Sequence, residues 1–131
     1  MKLTVKLKYA LFLAGLLLIA GCNIDSIDSN ITADALLNHP QKDQILILDV
    51  RTPQEFDDGH IPGAINIPHT ELSDKLDQVI THKHKPVVVY CQSGRRASVA
   101  QSILTKAGFD QVLHLEGDIA DWKAGGYPLE K

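Results

Sequence analysis

Cys91 is followed within five residues by Gly94, Arg95 and Arg96, with Gln92 and Ser93 completing the stretch. A thiol beside a glycine and two guanidiniums suits nucleophilic sulfur chemistry on an anionic substrate. Val87, Val88, Val89 and Tyr90 form an unbroken apolar run before the cysteine, which suits a strand covered on both faces in a parallel sheet. After the loop, Ala97, Ala100, Ile103, Leu104 and Ala107 recur at intervals of three and four, so a helix is expected to open at Ala97 and stop at Gly108. Cys91 then falls at the carboxyl end of a strand, where diverging connections in an open α/β sheet leave a ligand crevice. Backbone N–H groups from Gln92 to Arg96, curling inward at Gly94, and the positive end of the helix would cradle an anion and favour thiolate over thiol. The competing reading, Cys91 as a small buried hydrophobe, does not account for the glycine and the arginines that follow it.

The other candidates lie at other strand ends. Ile45–Leu48 is a second apolar run and leads into Asp49 and Arg51. Arg51 is expected to help draw in anions, and Asp49 to brace the loop by accepting hydrogen bonds. Thr52, Pro53 and Glu55 form a capping box that starts a short helix, which Gly59 ends. His60 is expected to be a turn residue, and a short strand covers 64–67. Glu116 and Asp118, in the turn after a strand over 111–115, are expected to be solvated. His82 and His84 are two apart in a loop without further ligands, a poor metal site. Neither a metal nor an organic cofactor is implied. The remaining elements are helices over 33–38, 70–80 and 119–124, the first capped by Thr32. Strands alternating with helices, without hairpin connections, predict an α/β fold: a parallel sheet with helices on both faces.

The 131 residues, 44% apolar and 22% charged, suit one globular domain. The N-terminus stands apart. Lys2, Lys6 and Lys8 precede an apolar run that ends in Ile19, Ala20, Gly21 and Cys22, the plan of a secretory signal and shorter than a membrane span. Its end resembles the lipobox of bacterial lipoproteins, which implies lipidation of Cys22 after cleavage. The expected division is a signal peptide at 1–21, a lipidated Cys22 and polar tether at 22–30, and the domain at 31–131. Without the signal, ten basic residues face sixteen acidic ones, a net charge of −6, which argues against nucleic acid as a partner. With Cys22 lipidated, Cys91 is left as an unpaired thiol in an exported protein. Asn23, rather than Asp, after Cys22 favours the periplasm-facing outer membrane under the sorting tendency of many Gram-negative bacteria. A monomer is expected.

Taken together, Leu48–Pro53 with Glu55–Phe56, Gly59–Ala64, Asn66–Pro68, Tyr90–Arg96, and Asp121–Trp122 with Gly125–Pro128 resemble a rhodanese domain, most of all the single-domain bacterial rhodaneses. The resemblance implies a thiosulfate-type sulfurtransferase. Cys91 would carry a persulfide between an anionic sulfur donor and a thiophilic acceptor such as cyanide, a thiol or a protein thiol. It also implies that Gln92, Ser93, Gly94, Arg95 and Arg96 bind the donor, with only one of the two arginines needing to face inward. The family commonly shows a glycine pair where this chain has Gly117 and Asp118, so an extra carboxylate near the pocket would disfavour a dianionic donor. Two alternatives belong to other classes. One is a non-catalytic rhodanese-like sulfur-carrier or regulatory binding module. The other is a phosphatase or arsenate reductase, whose longer loop puts its essential arginine where this chain has Ala97.

Overall fold

The computed structural model describes residues 29–131. The expected signal peptide, Cys22 and most of the tether lie outside the described residues. Five strands, β1 (Asn30–Ile31), β2 (Leu46–Asp49), β3 (Ile65–Asn66), β4 (Val87–Tyr90) and β5 (Val112–Leu115), form one sheet in the order β1-β5-β4-β2-β3. Every pairing is parallel. The α-helices are α1 (Ala33–Leu37), α2 (Pro53–Asp58), α3 (Arg95–Lys106) and α4 (Asp118–Ala124).

The unbroken apolar runs are buried on both faces because successive side chains alternate across the sheet. Leu46, Leu48, Val87, Val89 and Val112 pack with Ala97, Ala100 and Leu104 of α3 on one side. Ile47, Val88, Tyr90 and Leu115 pack with Leu36 of α1 and Ile119 and Trp122 of α4 on the other. The α/β fold, with helices on both faces of a parallel sheet, is therefore as expected. From β2 the chain moves outward to β3, then returns to β4 on the opposite side, so the ends of β2 and β4 flank a topological switch point.

Three elements differ from the sequence-based expectation. The helix expected over 70–80 is instead a series of 3-10 turns at Leu72–Asp74, Leu76–Gln78 and Ile80–His82, none with a side-chain cap. Leu72 and Val79 still reach the core, but the tighter winding turns Ile80 outward to 48% exposure. Helix α3 opens two residues before Ala97, because Gly94 at φ +114° takes the N-cap position. Both arginines therefore stand in its first turn rather than in the loop. Strand β1 straddles the expected boundary between tether and domain. It is two residues long and carries no periodicity, yet Asn30 and Ile31 pair with His114 and Leu115.

Candidate active site

Cys91 continues from β4 and is 1% exposed. The chain turns back over it, and the Gly94 N–H donates to Cys91 Sγ at 3.0 Å, the type of bond that stabilises charge on sulfur. Only glycine adopts this φ without strain. Gln92, Ser93 and Arg95 are exposed at the loop's outer surface. Arg96, half-buried, reaches across to α2, where Nη1 and Nη2 donate to Glu55 Oε2 and Oε1 at 2.7 and 2.9 Å. That pairing is the main reason the Glu55 carboxyl is pushed down to about 2. The Arg96 guanidinium is held above its ordinary value by Glu55 first and, to a smaller extent, by the Cys91 sulfur. Of the two arginines beside the loop, Arg96 is the one that faces the thiol. Glu55 also closes the capping box as expected, accepting from the Thr52 N–H at 2.9 Å.

The loop is held from below by α4, which the sequence did not indicate. The N–H groups of Ile119 and Ala120 donate to the carbonyls of Cys91 and Gln92 at 3.1 and 3.2 Å. Asp118 Oδ1 accepts the Cys91 N–H at 2.9 Å and lies 2.9 Å from His114 Nε2. Asp118 is 3% exposed and sits at φ +53°, so it is a buried brace rather than the solvated turn residue expected. Glu116 is exposed. The available signal was the Gly117-Asp118 pair directly after a strand, since Asp tolerates left-handed backbone by bonding locally.

Arg51 was expected to draw in anions, but its guanidinium has another position. Nη2 donates to Asp49 Oδ2 at 2.7 Å and to the Gly59 carbonyl at 2.8 Å, and Nε donates to both Asp49 oxygens. Arg51 is 2% exposed and Asp49 fully buried. Burial works against the Arg51 charge, and the bonds to Asp49 outweigh it and raise its pKa. The guanidinium also lies 5.8 Å from the ring centre of Tyr90, whose hydroxyl is raised chiefly by burial and accepts the Ile61 N–H. Asn66 Nδ2 donates to the carbonyls of Asp49 and Arg51, tying β3 to the end of β2. These residues form a buried frame beside the loop. His60 is 3.7 Å from Phe56 in a ring stack, with Nδ1 2.9 Å from the Phe56 carbonyl, at the end of α2.

Comparison with known proteins gives the same family from sequence and from structure. A family model described as Rhodanese-like domain matches residues 32–125. A protein named sulfurtransferase from Allochromatium vinosum is 32% identical over 106 residues, covering 81% of this chain and 94% of its own length. The thiosulfate sulfurtransferase PspE of Escherichia coli is 37% identical over 81 residues, covering 60% of this chain and 78% of its own. The chain spans from half to most of the length of the curated relatives it matches. Among solved structures, a rhodanese-related protein from Thermoplasma volcanium superposes with a TM-score of 0.68 at 34% identity, covering 77% of this chain and 96% of that one.

Proposed function

The chain belongs to the rhodanese-like domain family, and on that premise we propose that it is a sulfurtransferase working through a Cys91 persulfide. One observation carries the reading: the Gly94 N–H is directed at Cys91 Sγ in a loop fixed from below by α4. With thiosulfate, the Cys91 thiolate attacks the outer sulfur and a new S–S bond forms. The original S–S bond breaks, and its electron pair leaves with sulfite. Attack by cyanide or a thiol on the outer sulfur of the persulfide then returns the Cys91 thiolate. Arg96 lies beside the thiol with its guanidinium paired to Glu55, while Arg95 meets the solvent through which the donor arrives. A phosphatase would need an arginine at position 97, which is a fully buried alanine. A purely non-catalytic module leaves the N–H placed on the sulfur unexplained.

The test is thiosulfate:cyanide turnover of the full chain beside Cys91→Ser, with intact mass read after exposure to thiosulfate. Turnover and a one-sulfur adduct, both lost in the variant and the adduct removed by cyanide, support the proposal. A folded, alkylatable Cys91 that gains no sulfur from thiosulfate or from a hydropersulfide rejects it. We further propose that Cys22 is lipidated and holds the domain at the periplasmic face of the outer membrane. Membrane fractionation unchanged by Cys22→Ser would reject that.

A further inference from the structure

We propose that Asp118 sets the charge of the sulfur donor, disfavouring dianions such as thiosulfate and leaving the site to an uncharged or singly charged hydropersulfide. The proposal rests on the sulfurtransferase reading of Cys91. Asp118 Oδ1 is 2.9 Å from the Cys91 nitrogen, and Oδ2 lies 3.1 Å from where a side chain on Gly94 would begin. The carboxylate thus lies along the back of the loop, from the nucleophile to the glycine that covers it. One hydrogen bond and the span of one residue separate it from Cys91 Sγ, at most about 7 Å. At 3% exposure it is shielded from solvent, so salt and water screen it less than a surface charge.

The one side chain paired with it is His114, whose Nε2 lies 2.9 Å from Asp118 Oδ1, and the arginines are engaged elsewhere. Arg96 is held by Glu55 through two bonds, and Arg51 is closed off by Asp49. The N–H groups of Ile119 and Ala120 are taken by the carbonyls of Cys91 and Gln92, and that of Gly94 by the sulfur. Arg95 alone of the three arginines extends into solvent. Each additional negative charge on a donor therefore works against Asp118 by an amount on the order of tenfold in rate.

A hydropersulfide, R–S–SH, carries fewer negative charges than thiosulfate even when ionised, and so meets less of this cost. The Cys91 thiolate attacks its terminal sulfur, a Cys91 S–S bond forms, and the R–S bond to that sulfur breaks. The electron pair leaves on R–S, and the hydropersulfide proton passes to the released thiolate, giving RSH and the Cys91 persulfide anion. The sulfane sulfur changes hands without any outside oxidant.

The test uses the full chain and measures the rate at which Cys91 gains one sulfur, by mass in single turnovers. The donors are thiosulfate, a dianion, and 2-hydroxyethyl hydropersulfide, which carries one negative charge when ionised. Asp118→Asn keeps an oxygen for the Cys91 N–H and tolerates positive φ while removing the charge. It is expected to speed loading from thiosulfate about tenfold more than loading from the hydropersulfide, which carries one negative charge fewer. Should it fail to fold, Asp118→Gly accepts the same backbone and the same ratio is read. Equal changes for both donors would overturn the proposal and leave Asp118 a brace only. A wild-type Cys91 that loads from neither donor would instead overturn the sulfurtransferase reading beneath it.

Discussion

At the scale of single residues, two positions separate the chemistry from its support. Gly94 sits at φ +114°, and a methyl group there would meet Asp118 Oδ2 at 3.1 Å and the His114 ring at 3.4 Å. Gly94→Ala should destabilise the fold by about 1–3 kcal/mol through backbone strain. By moving the N–H off Cys91 Sγ it should also slow persulfide formation about tenfold or more. Thermal melting together with single-turnover loading checks both, and unaltered loading would show that the N–H has no part in the chemistry. Arg51 belongs to the support. Removing one member of a buried ion pair leaves the other uncompensated, so Arg51→Ala should cost about 3–5 kcal/mol in urea unfolding. The KM for thiosulfate in the fraction that folds should stay near wild type, and a large rise would return Arg51 to donor binding. The turn of the loop from Cys91 to Gly94 was legible because its residues are adjacent in the chain, whereas which of Arg95 and Arg96 turns inward was not, because that depends on Glu55 of α2. The position of Arg51 was not, because its carbonyl partner at Gly59 is supplied by the far end of α2.

At the scale of elements, the capping box does more than start α2. Thr52 fixes Glu55 at the first turn, and Glu55 then receives Arg96 from the first turn of α3, so one carboxylate ties two helix starts together across the loop. Its pKa, lowered from 4.5 to about 2, has a defined consequence for stability. A carboxyl depressed in the folded state stabilises above its unfolded pKa, and that contribution is lost as pH falls toward the folded value. Wild type should therefore exceed Glu55→Gln in stability at neutral pH, with the gap closing between about pH 4.5 and 2. Urea unfolding across that range checks it, and a gap that does not change with pH would remove Glu55 as its source. The cap was legible because four adjacent residues suffice to form it. The 3-10 turns were not, because Leu72, Leu76 and Val79 have the same spacing in an α-helix, and hydrogen bonding alone decides between the two.

At the scale of the whole molecule, the sheet carries the start of the domain to the active site. The first described residues run along the outer edge of β5, where the His114 N–H donates to the Ser29 carbonyl at 2.8 Å and the Glu116 N–H to the Ile31 carbonyl at 2.9 Å. His114 in turn contacts Asp118, and Asp118 holds the Cys91 N–H. The entering chain is thus two side chains away from the nucleophile, a connection that no local pattern in the sequence discloses because it spans some sixty residues. Ile31 secures this edge, being 8% exposed among Leu36, Leu115 and Ile119. Ile31→Ala should cost about 2–5 kcal/mol by opening a cavity there. It should also slow persulfide loading by loosening β5 beneath Asp118. Val112→Ala, at the opposite end of β5 and on the other face of the sheet, should lower stability while disturbing loading much less. Loading rates measured well below both melting temperatures distinguish the cases. Equal slowing in the two variants would mean that loading follows overall stability, whereas slowing confined to Ile31→Ala would place the edge strand in the support of the active-site loop.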